Sequence, residues 1–475
     1  MSVYITVIIA YFAFVILVSL FTRRYASRSA SDFLIAGRNL GVIVCAVVVA
    51  AEWLGGMSTI GVSEKAFTTG TLQPILYNIA TAIGMVIIGF TVASRYRKEN
   101  VHTVSEMLEN LFGPKVRTIS AISFLLAYLT LAYVQLQTCS SVIAPLFGIS
   151  WLSSILISSV IITLYTYLGG MHALAVTGII HVVTMFAGIG IALIIGLEKV
   201  GGFAALQSNL VASGSPANLY NPFSANVSYA FSLLLGGILG GMAGQASIQP
   251  IFAARNPLTA KRAAIASSFI IAPFGIMVGI LGLIARTGLF FDTASCDPKM
   301  VLPTLLTSSL FISPVLGGLA LAGILAAILS TVGPVNFAVV TIATKDIYHG
   351  LINKTADDKR ILVTARKLVL LVNLITIPLA VLLRGAILDA AYVSYAIRAI
   401  GAIVIVLGIY ARGWITPLGA KLAFVGGTLT VFICIIAGKL GIFSIDKTYG
   451  AVGSAIIFIV IGHLWTRFRE KNVTK

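Results

Sequence analysis

Residues 118–197 read TISAISFLLAYLTLAYVQLQTCSSVIAPLFGISWLSSILISSVIITLYTYLGGMHALAVTGIIHVVTMFAGIGIALIIGL, eighty consecutive positions without aspartate, glutamate, lysine or arginine. A domain that folds in water cannot carry such a run, because a face of each of its elements must meet solvent. Apolar runs of this kind are typical of helices that span a bilayer, each of which needs about 20 residues. Uncharged stretches recur at 66–94 and 201–254. The sequence therefore predicts an all-α polytopic membrane protein.

The composition agrees with this class. Hydrophobic residues make up 58% of the 475 positions and charged residues 10%, with a mean hydropathy of +1.02, whereas about a quarter of a typical soluble domain is charged. The net charge of +17 does not indicate nucleic-acid binding, because the basic residues lie between apolar segments. The four cysteines are scattered without CxxC spacing, which indicates neither a metal site nor a disulfide framework.

Thirteen apolar stretches are candidate spans. They are approximately Val3–Phe21, Leu40–Val62, Leu72–Ser94, Ile119–Leu146, Trp151–Tyr167, Ala173–Leu197, Ser228–Ala253, Ala263–Ile284, Leu310–Thr341, Ile361–Leu383, Ala386–Tyr410, Ile415–Ala437 and Ala451–Trp465.

The basic residues orient these spans. With the N-terminus outside, 24 of the 32 lysines and arginines fall on the inner side, seven fall outside, and Arg398 lies within the eleventh span. The excess of inner positive charge predicts an outer N-terminus and an inner C-terminus. No basic segment precedes the first span, so we expect a retained helix and not a cleaved signal peptide.

No connector looks able to fold alone, so we expect residues 1–475 to form a single transmembrane domain in a plasma membrane, bacterial or archaeal. The chain carries no GxxxxGK[ST] phosphate loop, which disfavours transport driven by ATP.

Two spans are unusually rich in glycine. The second carries Gly55, Gly56 and Gly61, and the seventh carries five glycines between 236 and 244. Discontinuous helices at matching positions of two halves are typical of the binding sites of secondary transporters. We therefore expect an extra N-terminal helix and loop (1–39), two five-helix repeats (40–197 and 228–410) and two C-terminal helices with a tail (411–475). Close helix packing is the alternative explanation for any single glycine.

Two charged residues lie deep within spans. Glu52 is the acid well inside a span, and Arg398 is the basic residue near the middle of one. Charges at membrane depth are costly and usually face the protein interior and a partner. The two could pair in the empty protein, or Arg398 could hold a substrate carboxylate through a bidentate fork. The sequence leaves both possibilities open.

The ninth span offers neutral oxygen ligands. Ala327, Ser330 and Thr331 share one helical face, and Pro334 leaves the Ser330 carbonyl without its usual backbone donor. A cluster of such oxygens suits a hard cation such as Na⁺, although hydroxyls in membrane helices often bond to their own chain.

The chain resembles the sodium:solute symporter family over nearly its whole length. Four motifs in order carry the resemblance: Asp32-Phe-Leu-Ile-Ala-Gly-Arg38-Asn-Leu-Gly, Tyr165-Thr-Tyr-Leu-Gly-Gly-Met-His-Ala-Leu-Ala-Val-Thr177, Gly244-Gln-Ala-Ser-Ile-Gln249 with Arg255 and Arg262, and Leu321–Thr331 with Lys345-Asp-Ile-Tyr348. The resemblance implies a LeuT-type 5+5 inverted-repeat fold with one extra helix in front, about thirteen transmembrane helices in all.

The resemblance also implies a site for the coupling ion, Na⁺. Its ligands map onto the backbone carbonyls of Ala51 and Leu54 and onto Ala327, Ser330 and Thr331. The substrate would lie beside the ion, near Glu52, Trp53, Ser58, Gly240, Gln245 and Arg398.

The sixth span departs from the family pattern. Many members carry Thr-Asp-x-x-Gln, where the aspartate can help to bind a second Na⁺, whereas this chain reads Thr177-Gly178-Ile-Ile-His181. The missing carboxylate favours one ion per cycle. We expect His181 to be hydrogen-bonded within the helix bundle. Trp53 and Gly240 stand where sugar carriers of the family place polar groups and an aromatic gate, which disfavours a sugar substrate.

These observations favour sodium-coupled uptake of a small organic solute, with a carboxylate or an amino acid preferred and no cofactor besides the ion. A proton-coupled carrier using Glu52 and a transporter-like sensor are the alternatives. A membrane-embedded enzyme is disfavoured, because no HExxH is present and the acidic pair Asp357-Asp358 lies in a predicted solvent loop. Besides solute, Na⁺ and lipid bilayer, the sequence indicates no nucleic acid and no obligatory protein partner.

The predicted orientation can be tested with reporter fusions. A reporter joined after Lys475 should be active only when its enzyme works in the cytoplasm, because the positive-inside bias places the tail there. A periplasmic signal from the same fusion would contradict the thirteen-span topology.

Overall fold

The computed structural model describes residues 2–26, 38–383, 385–411 and 413–473. Within these ranges the chain is helical and forms no β-strand, with one isolated bridge between Leu40 and Ala254. The predicted all-α class is confirmed. Positions 32–37 of the first motif lie outside the described residues, as do Arg28, Arg412 and Lys475 of the predicted charge pattern.

The described helices follow one another through short connectors. They are α1 Ser2–Ala26, α2 Val42–Trp53, α3 Val62–Thr69, α4 Leu76–Thr91, α5 Ala93–Lys98, α6 Val104–Phe112, α7 Pro114–Phe147, α8 Trp151–Lys199, α9 Gly202–Ala212, α10 Val227–Met242, α11 Gln245–Phe252, α12 Pro257–Arg286, α13 Val301–Thr307, α14 Pro314–Thr341, α15 Asp358–Leu382, α16 Ile387–Tyr410, α17 Pro417–Lys439 and α18 Lys447–Val473. Two π-helical segments, Met57–Gly61 and Ile342–Ile352, lead into α3 and extend α14, and 3₁₀ turns occupy Gln73–Ile75 and Pro298–Met300.

The predicted count of thirteen spans is not confirmed. Among the described residues, ten helices are long and apolar enough to cross a membrane, or eleven when the bent pair Val42–Trp53 and Met57–Thr69 is taken as one span. Two other predicted spans correspond to shorter apolar segments, Val3–Val18 and Trp151–Leu164. The latter belongs to α8, whose 49 residues contain both the fifth and the sixth predicted spans. The sequence expectation of a boundary between them therefore has no break in the helix to match it.

The second predicted span is broken, as its glycines suggested. Helix α2 ends at Trp53, and the chain resumes as the π-helical segment and α3 with a bend of 55°. A Cβ atom on Gly55 would overlap the side chain of Thr331, and one on Gly56 would overlap Thr138. Only glycine therefore allows the break to pack this closely against α14 and α7.

The seventh predicted span is broken as well. Helix α10 ends at Met242 and α11 begins at Gln245, with Ala243 and Gly244 between them. A Cβ atom on Gly244 would overlap the guanidinium of Arg398. The two glycine-rich spans are thus both discontinuous, and each break lies against a different long helix.

Helices α14 and α16 form the centre of the molecule. In their most apolar windows, 83% and 78% of the residues are buried inside the protein, against 28% for α18. Helix α2 packs against α14, and α10 packs against α16. This arrangement brings both breaks to the two most buried helices.

Candidate functional site

Four oxygen atoms meet where α2 ends against α14. The Ser330 hydroxyl donates to the carbonyls of Ala51 at 3.0 Å and Ala327 at 2.8 Å. The Thr331 hydroxyl donates to the same carbonyls at 2.9 and 3.4 Å. All four residues are almost fully buried. The structure therefore brings together four of the five residues expected to hold Na⁺.

The end of α2 explains why its carbonyls are available. The last four carbonyls of a helix lack intrahelical donors and carry partial negative charge, which favours a cation. The Ala50 carbonyl accepts the amide of Leu54, which caps the helix, while the Ala51 carbonyl accepts the two hydroxyls from α14. Leu54, the fifth predicted ligand, is fully buried directly after the helix end.

Glu52 and Arg398 lie beside this oxygen cluster as a buried pair. Nη1 of Arg398 is 3.9 Å from Oε1 of Glu52, and the side chains are 0% and 2% exposed. This separation is an ion pair but too long for a hydrogen bond. Within the described residues, Oε2 of Glu52 and both terminal nitrogens of Arg398 have no hydrogen-bond partner. Buried charged groups rarely leave so many donors and acceptors unused, so the pair has capacity for a polar ligand.

The remaining donor of Arg398 holds the seventh span at its break. Nε of Arg398 donates to the carbonyl of Gly240 at 2.8 Å. Gly240 lies two residues before the end of α10, so its carbonyl is one of those that a helix end leaves free. Arg398 therefore contacts the break of one discontinuous span and pairs with the acid at the end of the other.

Three aromatic rings enclose the guanidinium. Its central carbon lies 5.0 Å from the ring centroids of Trp53 and Tyr395 and 5.3 Å from that of Tyr128. Trp53 also stacks on Tyr395, with centroids 5.7 Å apart and planes at 20°. Ring faces attract cations, and these contacts stabilise Arg398 in the absence of a full set of hydrogen bonds.

The tyrosines of this enclosure were not predicted. Tyr395 precedes Arg398 by three residues on α16, a spacing that places both on one helix face, and this signal could have identified it. Tyr128 comes from α7, some 270 positions away in the sequence, and its hydroxyl accepts the backbone amide of Ala246 at 2.9 Å. No local pattern reveals such a contact.

Ser58 supports the first break. Its hydroxyl donates to the carbonyl of Trp53 at 2.6 Å and accepts the amide of Asn78 at 2.9 Å. The side chain that was predicted to contact substrate is thus bonded to the unwound backbone, where it fixes the position of Trp53.

Gln245 lies away from Arg398 in its bonding, although it was predicted to contact substrate. Its amide nitrogen donates to the His102 carbonyl at 2.9 Å, and its oxygen accepts the Val104 amide at 2.8 Å. Between them, the Thr103 hydroxyl donates to Asp346 at 2.8 Å, on the π-helical extension of α14. Gln245 therefore joins the start of α11 to the loop that precedes α6.

His181 lies in hydrogen-bond contact with another helix. Its Nδ1 contacts the hydroxyl of Tyr11 on α1, and its side chain is fully buried. This agrees with the prediction of a histidine bonded within the bundle. Among the described residues, no group of three or more histidine, cysteine or acidic side chains could hold a metal ion.

Two discontinuous helices that place oxygen ligands and a buried charged pair at the centre of a helical bundle define a secondary transporter. The sequence model of the sodium:solute symporter family matches residues 33–427, and the chain belongs to that family. The predicted family is confirmed, and it is a family of transporters rather than a class of enzymes. Its members couple transport to Na⁺.

Relatives of known name are proline transporters. The osmoregulated proline transporter OpuE of Bacillus subtilis is 25% identical over 459 residues, which cover 92% of this chain and 90% of the relative. The sodium/proline symporter of Staphylococcus aureus is 24% identical over 491 residues, covering 98% and 93%.

Solved structures share the fold. A Na⁺-coupled sialic acid symporter, in a substrate-bound outward-open state, superimposes with a TM-score of 0.82 at 18% identity and covers 98% of each chain. The nucleobase-cation-symport-1 family transporter Mhp1 superimposes with a TM-score of 0.60 at 14% identity, covering 92% of this chain and 95% of that one. The chain therefore has a LeuT-like fold.

The charged pair can be tested with a double-mutant cycle. Glu52→Gln leaves a buried guanidinium uncompensated and Arg398→Gln leaves a carboxylate, so each should destabilise the protein by about 3–5 kcal/mol. The double variant should be more stable than the sum of the two effects predicts, by about 0.5–3 kcal/mol. Thermal unfolding of the purified proteins measures this coupling.

Glu64 provides the matched control for this cycle. It is also a buried acid, but its Oε2 accepts the backbone amide of Ile387 at 3.1 Å. Glu64→Gln combined with Arg398→Gln should give additive losses. Additivity in the Glu52 cycle too would show that the 3.9 Å pair contributes no interaction energy.

Proposed function

We propose that this protein is a sodium-coupled symporter of the plasma membrane that imports a small amino acid by alternating access, with one Na⁺ per cycle. The observation that carries the proposal is the buried Glu52–Arg398 pair, with its unused donors and acceptor, at the two helix breaks. The proline transporters among the relatives support an amino acid over a simple carboxylate.

The two charged groups suit the two ends of an amino acid. The terminal nitrogens of Arg398 form a fork that matches a carboxylate, and Oε2 of Glu52 can accept a hydrogen bond from a protonated amine. An amino acid carries both groups and no net charge. It therefore leaves the charge of the buried pair balanced, which a lone carboxylate or amine does not.

The ion site adjoins this solute site in the sequence itself. Ala51 would offer its carbonyl to Na⁺ together with Leu54, Ala327, Ser330 and Thr331, while the next residue, Glu52, would face the solute. Binding of Na⁺ would replace the hydroxyl-to-carbonyl hydrogen bonds and fix the end of α2 against α14. Since coupling between two ligands is reciprocal, the solute should raise the affinity for Na⁺ by the factor by which Na⁺ raises the affinity for solute.

Proton coupling through Glu52 is the second candidate, because an acid buried beside a substrate site can carry a proton. Na⁺ dependence of uptake separates the two. The missing aspartate at Gly178 supports one ion per cycle.

The cation site can be tested by removing its hydroxyls. Ser330→Ala and Thr331→Ala each remove one ligand, at an expected cost of about 1–3 kcal/mol. The Na⁺ concentration for half-maximal uptake in proteoliposomes should therefore rise roughly 5- to 150-fold. Thr376→Ala is the control, because that buried hydroxyl donates only within α15, to the Asn373 carbonyl at 3.0 Å. Unchanged Na⁺ dependence in both variants would exclude this site.

The solute class can be tested by competition against labelled proline. Compounds with both an amine and a carboxylate should compete, and analogues that lack either group should bind about 10- to 150-fold more weakly, the scale of a lost hydrogen bond to a charged group. Arg398→Lys keeps the charge but loses the fork, so it should weaken amino acids while folding is retained. Equal competition by carboxylates without an amine would assign Arg398 alone to the solute.

A further inference from the structure

A polar cleft lies at the far end of the C-terminal helix pair, away from the site above. It has a volume of about 430 Å³ between the start of α17 and the end of α18. Its lining residues are Gly413, Thr416, His463, Thr466, Arg467, Glu470 and Lys471. Neither the ion site nor the solute site uses any of them.

The cleft lies where α18 passes from apolar to charged sequence. The helix is apolar through Trp465, and charged residues begin at Arg467. Trp414 and Trp465 are 55% and 57% exposed on the surface of the bundle. Tryptophan is enriched at the boundary between lipid and water, so the cleft lies at the depth of the lipid headgroups.

His463 forms the inner wall of the cleft. Its side chain is 9% exposed and stacks on Trp414, with ring centroids 5.1 Å apart and planes at 15°. Within the described residues, Nδ1 of His463 has no hydrogen-bond partner. A buried ring nitrogen without a partner is costly, and a ligand in the cleft could provide one.

Positive charge prevails around this histidine. Arg467 and Lys471 follow His463 at successive intervals of four residues, which places all three on one face of α18. Glu470 also lines the cleft, so the lining carries two cations against one carboxylate. The hydroxyl of Thr466 donates to that of Thr416 at 3.3 Å and closes the cleft where the helices meet.

We propose that this cleft binds the phosphate of an anionic phospholipid. Arg467 and Lys471 would pair with the phosphate oxygens, and His463 would complete the contacts from the buried side. Leu464 and Phe468 are 62% and 63% exposed on the adjoining surface of α18, where acyl chains would pack. This apolar surface next to the cationic cleft favours a lipid over a free phosphate ion.

Native mass spectrometry of the detergent-purified protein tests the proposal directly. Phosphatidylglycerol should bind at least about tenfold more tightly than phosphatidylcholine. Each juxtamembrane charge contributes about one fivefold step in affinity. Arg467→Gln should therefore weaken phosphatidylglycerol binding about fivefold, and Arg467→Gln with Lys471→Gln about 25-fold.

Arg469→Gln is the matched control, because it removes the same charge from the same helix end but does not line the cleft. It should change binding by less than about twofold. These residues are exposed, so we expect all variants to keep the wild-type unfolding temperature. Equal losses in the Arg467 and Arg469 variants, or equal binding of both lipids, would overturn the proposal. Displacement of the lipid by millimolar inorganic phosphate would assign the cleft to free phosphate instead.

Discussion

Breaking a membrane helix releases backbone groups that lipid cannot satisfy, so partners must come from within the protein. In the described residues, side chains from other parts of the fold meet these groups at both breaks. The Ala51 carbonyl accepts Ser330 and Thr331, the Trp53 carbonyl accepts Ser58, the Gly240 carbonyl accepts Arg398, and the Ala246 amide donates to Tyr128. The proposed ion and solute sites coincide with this set of contacts. Structural need and ligand binding thus draw on the same polar atoms.

Helix α16 connects the two discontinuous spans. Arg398 on this helix bonds α10 and pairs with the acid at the end of α2. Nearer its start, Asp389 forms an ion pair of 2.7 Å with Lys65 on α3. Both halves of the second span therefore contact α16, and a shift of this helix would alter the charged pair and the Lys65–Asp389 contact together. Rigid support of this kind keeps an incompletely bonded guanidinium in place.

Local chemistry made part of this arrangement predictable from the sequence. Gly55 and Gly244 indicated the breaks, because close approach of side chains leaves no room for a Cβ atom. The spacing of Ser330 and Thr331 indicated shared oxygens because helical periodicity is fixed. The span count was wrong to expect a break within α8, since hydropathy detects apolar length but not helix continuity. Tyr128 and the bonding of Gln245 depend on contacts between distant helices, which no single sequence encodes locally.

The two hydrogen bonds of Gln245 give the second half of the seventh span a mechanical attachment. Helix α11 begins at this residue, and the loop that it holds is itself fastened to the extension of α14 through Asp346. Thr331 lies on α14, so the helix that offers hydroxyls to the ion is linked through this chain of contacts to the helix that follows the second break. Tension at either end reaches the other without passing through the solute. The amide of one glutamine thereby works as a coupling rod between two moving parts.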